Sequence, residues 1–136
     1  MIDNFEKIIS KLHDARLFGF LIESNPNSME VKFILYVQLF SDYERELYSL
    51  EKALLIFETP SVTKLNINDD LFNGQFFITD ILIQQPEDRK FTFNFVFDDS
   101  SIELVITAEN MNLISSGMIE ENNIQFLPTN WQGLFH

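Results

Sequence analysis

Between Phe91 and Phe97 every second residue is a phenylalanine: Phe91, Phe93, Phe95 and Phe97 alternate with Thr92, Asn94 and Val96. A period of two puts all four rings on one side of a β-strand and the remaining side chains on the other. Asp98-Asp99-Ser100-Ser101 then reads as a turn, and Ile102, Leu104, Ile106 and Ala108 alternate with Glu103, Val105 and Thr107. Two such runs joined by a short turn predict an antiparallel hairpin with one apolar face. The Phe stripe is read as core, with the lining of a small-ligand cup as the alternative.

The rest of the chain fits around that hairpin. Ile2, Phe5, Ile8, Ile9 and Leu12 fall at helical spacing with Glu6, Lys7 and Lys11 opposite, which predicts an amphipathic helix over residues 2–12. Strands are expected at Leu17–Glu23, Met29–Phe40, Ala53–Glu58, Val62–Ile67 and Phe76–Gln84, with turns at Asn25-Pro26-Asn27-Ser28, Thr59-Pro60-Ser61 and Gln85–Arg89. Ser41–Leu50 reads either as a loop or as a short helix, Asn68–Gly74 as a polar loop, and 110–114 as a short extra strand. From Ser115 the pattern weakens, with Trp131 and Phe135 available to dock on the body. Short connections imply antiparallel neighbours, because parallel pairs need a crossover. The expected fold is α+β: one domain over 1–136, with an N-terminal helix packed on a curved, mainly antiparallel sheet of about seven strands.

Charge narrows the partners. Nine Lys and Arg against 21 Asp and Glu leave a net charge of −12. No basic residue follows Lys90, while Asp98, Asp99, Glu103, Glu109, Glu120 and Glu121 all do. Such a field repels phosphate backbones and anionic membrane surfaces and attracts basic partners. No nucleic acid and no membrane is therefore expected among the partners. The bland alternative is a coat that keeps a Phe-rich protein soluble. With no cysteine, disulfides and thiolate chemistry are excluded. The opening Met1–Glu6 lacks the basic start and apolar run of a secretory signal, so the expected location is cytoplasmic.

Motifs for catalysis are thin. His13-Asp14 is the first place to look for a general base, but neighbours in sequence diverge, and His13 is read as a helix-end residue that bonds the last carbonyls. An enzyme would need His13 to meet a carboxylate such as Asp80. Asp98-Asp99 and Asn68-Asp69-Asp70 are turn chemistry rather than calcium loops. The isolated glycines form neither a phosphate loop nor a nucleophile elbow. No catalytic residue, no metal and no cofactor is assigned. The candidates for partner contact are Asp42, Tyr43, Glu44 and Glu46 in one segment and Glu120 and Glu121 in another, with Tyr48 as a further aromatic.

Lys11-Leu12-His13-Asp14-Ala15-Arg16-Leu17 leading into a strand, with Ala53–Glu58 and Val62–Leu65 as consecutive strands, resembles small bacterial immunity proteins of polymorphic-toxin and contact-dependent inhibition systems. That resemblance implies a helix-plus-sheet fold and a stoichiometric inhibitor of a basic toxin domain such as a nuclease, as monomer or homodimer. Type III secretion chaperones are similar in size and acidity, although this chain lacks a clear second and third helix. A ligand-binding β-cup and an enzyme are the remaining alternatives.

Overall fold

The computed structural model describes residues 2–44, 47–67, 76–98 and 102–122. Helix α1 (Ile2–Leu12) is followed by β1 (Arg16–Ser24), β2 (Val31–Glu44), β3 (Leu47–Glu58), β4 (Ser61–Ile67), β5 (Phe76–Glu87), β6 (Lys90–Phe97), β7 (Ile102–Ala108) and β8 (Asn110–Asn122). The strands hydrogen-bond in the order β4-β7-β6-β5-β1-β2-β3-β8, and every ladder is antiparallel.

The eight strands behave as two four-stranded halves. One is β1-β2-β3-β8 and the other is β5-β6-β7-β4. Their seam is short: Arg16 and Leu17 pair with Phe77 and Phe76, and Asp14 N and Ile78 N continue it by donating to Ile78 O and Ala15 O. The chain crosses between the halves again at β3→β4 and at β7→β8, where Glu109 N donates to Glu58 O at 3.0 Å.

Apolar packing brings the halves face to face. On β6 the four Phe rings point inward and are buried, while Asn94 and Val96 are exposed. Phe57 of β3 meets Phe93 edge-on at 5.3 Å and Phe95 at 6.0 Å. β3 and β6 are not neighbours in the sheet, so these contacts run between the two faces. Phe5 of α1 completes the cluster, edge-on to Phe91 at 5.0 Å and to Phe93 at 5.3 Å. The stripe is thus filled core, in the edge-to-face geometry that aromatic quadrupoles favour.

Helix α1 covers this interior with Phe5, Ile8 and Leu12, all buried at i, i+3 and i+7. Its end is abrupt because Asp14 takes a left-handed φ of 64°. Asp14 N–H donates to Ile78 O of β5, while Ala15 N–H closes the last helical turn on Leu12 O at 2.9 Å.

Among the described residues the sheet has eight strands where about seven were expected: β8 is the extra one, and a second segment lengthens β2 and β3. The described residues of Ser41–Leu50 are strand: β2 runs to Glu44 and β3 starts at Leu47, with Phe40 opposite Leu50 and Ser41 opposite Ser49. Cross-strand pairing here overrides the low strand propensity of Asp and Glu. β8 is a full strand of 13 residues rather than a short one. Its alternation is hidden because residues 116–118 bulge opposite the single residue Lys52, between the pairs Ser115–Ala53 and Ile119–Glu51. The expected loop at Asn68–Gly74 and the docking of Trp131 and Phe135 lie outside the described residues.

Phe93→Ala is expected to cost about 3–5 kcal/mol of unfolding free energy in a denaturant titration, because it leaves a cavity between helix and both halves. Val96→Ala, on the outer face of the same strand, is expected to cost well under about 1 kcal/mol.

Candidate functional site: an acidic sheet corner beside an open cleft

The ladders decide where the two candidate acidic segments lie. Ser49 of β3 pairs with Ser41 on one side and with Glu121 on the other, and Leu50 is flanked in the same way by Phe40 and Glu120. Adjacent strands are ~4.8 Å apart, so the backbones at Ser41 and Glu121 are separated by only ~10 Å. Asp42, Tyr43 and Glu44 continue directly from Ser41 to the end of β2. Two segments nearly 80 positions apart in sequence thus share one corner of the sheet, formed by the ends of β2 and β8 around the start of β3. Glu46 lies outside the described residues.

Next to this corner a cleft of about 470 Å³ opens between the end of α1 and the inner face of the sheet. Ser10, Lys11 and His13 form the helix side. Leu39, Glu51, Leu113 and Ile119 come from the strands. Ile119 is 60% exposed although it pairs opposite an inward position. The bulge in β8 shapes this wall: Gly117 sits at φ 78°, its N–H donates to Ser115 Oγ at 3.0 Å, and Ser115 Oγ in turn donates to the Glu51 carboxylate. Ser116 Oγ donates to the Lys52 carbonyl.

His13 stands at the cleft rim, yet it does not bond the helix carbonyls as its sequence position suggested. Its Nδ1 donates to the Thr79 carbonyl of β5 at 2.9 Å. Its Nε2 lies 3.5 Å from the Asp14 carboxylate, so these sequence neighbours do approach each other. The left-handed turn at Asp14 makes this possible by swinging the carboxylate back. Both side chains are more than half exposed. The Asp80 carboxylate accepts from the adjacent Ile81 N–H at 2.8 Å. The Asp98 carboxylate accepts from Phe77 N–H of β5 at 3.3 Å, and Asp99–Ser101 lie outside the described residues. Among the described residues no three His, Asp or Glu side chains converge on a common point.

The described acidic residues after Lys90 are spread along the chain over several elements. Asp98 ends β6, Glu103 of β7 is ion-paired to Lys64 of β4, and Glu109 sits at the β7→β8 crossing. From there the 13 residues of β8, ~45 Å at full extension, lead to Glu120 and Glu121.

Sequence reasoning missed a polar row on the outer face. Arg16, Gln38 and Lys52 are in register across β1, β2 and β3, and all three are buried. The Arg16 guanidinium lies over the rings of Phe18 at 5.0 Å and Phe77 at 5.5 Å. Burial pulls its pKa down to about 10 and lowers that of Lys52. The signal was available: Gln38 and Lys52 occupy the positions at which the outward series Ile34, Tyr36 and Leu54, Ile56 turn polar.

At Gly117 an added Cβ would touch nothing within 4 Å, so only backbone strain opposes it. Gly117→Ala is therefore expected to lower stability by about 1–2 kcal/mol in thermal denaturation. An unchanged midpoint would mean the bulge does not hold that conformation. No family model matches the chain, and no curated protein or solved structure matches it either.

Proposed function

We propose that this chain is a stoichiometric binding protein that neutralises a basic protein through the corner built by Asp42–Glu44 and Glu120–Glu121. An immunity protein against a toxin domain such as a nuclease is the most concrete form of that reading. The observation that carries it is the register: two acidic segments distant in sequence come within ~10 Å through one shared strand. Acidic positions brought together along the backbone in this way add to the field of a chain whose net charge is −12. A nuclease is usually basic where it meets phosphate, so an acidic corner can be steered onto that face and block it. The adjacent cleft supplies Leu39, Leu113 and Ile119 as an apolar floor for an anchoring side chain of the partner.

The test begins with retention of a partner from source-cell lysate on the immobilised protein, followed by its purification and kinetic measurement. The reading expects a basic partner bound at one to one. Its association rate should fall by about tenfold or more as ionic strength rises from roughly 0.01 to roughly 1 M, which shortens the Debye length from ~30 to ~3 Å. The variant Asp42→Asn/Glu44→Gln/Glu120→Gln/Glu121→Gln should slow association at low salt and leave dissociation almost unchanged. An on-rate insensitive to both salt and these substitutions contradicts the proposal.

A further inference from the structure

The opposite end of the β1–β2 hairpin presents a different surface. Asn25 closes the turn by accepting from Asn27 N–H at 2.9 Å and Ser28 N–H at 3.4 Å through its side-chain oxygen. Met29 then takes a φ of 59° and is 82% exposed. Phe20, Ile22 and Val31 share the inward side of the ladder with Phe33 and Leu35, yet all three are exposed, Ile22 by 60%. Phe20 stacks on Phe33 at 5.5 Å, so the patch continues from the core itself. Four large apolar side chains open to water at one end of a sheet form the kind of contiguous patch that marks an interaction surface.

The rim of this patch selects its occupant. A neighbouring cleft of about 570 Å³ is lined by Met29 and Val31 together with Glu30, Glu58 and Glu109. Lys32 also lines it, and it pairs across the ladders with Glu23 on β1 and Glu58 on β3, so its charge is compensated from both sides. A second copy of the chain would bring the same carboxylates against themselves, and an anionic lipid surface would be repelled. What fits is a segment with an apolar stripe for Phe20, Ile22, Met29 and Val31 and with Lys or Arg beside it to meet the glutamates.

We infer that this hairpin end is a docking surface for a basic amphipathic segment of another protein, separate from the acidic corner. The two lie at opposite ends of β2, whose 14 residues span up to ~45 Å. The inference stands whether or not the corner binds a toxin.

The experiment titrates the full chain with a synthetic Leu/Lys amphipathic peptide, following methyl resonances by NMR and affinity by calorimetry. Shifts are expected at Met29, Ile22 and Val31. Ile22→Ser/Met29→Ser is expected to weaken binding at least tenfold. Leu82→Ser/Ile114→Ser removes two equally apolar, half-exposed side chains elsewhere and is expected to change affinity less than threefold. Circular dichroism of each variant checks that it folds. A Leu/Glu peptide of the same pattern is expected not to bind. The inference is overturned if the shifts fall at the far end of β2 and β8. Equal binding by both double variants, binding of the Leu/Glu peptide, concentration-dependent dimerisation through Met29, or binding only to uncharged lipid vesicles would each overturn it as well.

Discussion

Everything in this molecule depends on the edge-to-face cluster of Phe5, Phe57 and Phe93. The hydrogen-bonded seam between the two half-sheets is too short to hold them at a fixed angle, since it consists of two paired positions and the two amide bonds beside them. Ring packing across the interior supplies what the seam lacks. It links β3 to β6, which are far apart in strand order, and ties α1 to β6. Because Phe5 is on the first turn of α1, the same cluster fixes how the helix lies over the interior. The position of the cleft beneath His13 and Lys11 follows from it.

With the halves clasped, the long strands β2 and β8 carry the consequences outward. Their length separates two chemically unlike ends. One end gathers Asp42–Glu44 and Glu120–Glu121 around the start of β3. The other leaves Ile22 and Met29 in water beside glutamates. The acidic residues that give the net charge of −12 lie on several elements. Glu109 and Glu121 bracket the same strand, and Glu103 is partly answered by Lys64.

What was legible in the sequence is what periodicity encodes. The Phe91–Phe97 stripe, its hairpin partner and the helical face of Phe5, Ile8 and Leu12 all appear where the pattern puts them. Strand β2 was readable even though both of its faces are buried, because Phe33–Val37 is continuously apolar and sits between turn signals. The misses share a cause. At Ser41–Leu50 polar residues are held in a ladder by pairing, which no local signal reports. In β8 Ser115, Ser116 and Gly117 interrupt the apolar series at the bulge, so that a 13-residue strand reads as a fragment. The candidate acidic residues were legible one segment at a time. Their meeting was not, because it depends on β3 lying between β2 and β8, and nothing in either segment announces its neighbour.

The central claim is that shared strand, and the cysteine-free chain makes it directly measurable. Nitroxide labels at Ser41→Cys and Glu121→Cys can be compared with each single-label protein by continuous-wave EPR at low temperature. The register places these backbones ~10 Å apart, so the doubly labelled protein should show strong dipolar broadening over the sum of the single spectra. A spectrum equal to that sum would place β8 away from β2 and β3 and contradict the account.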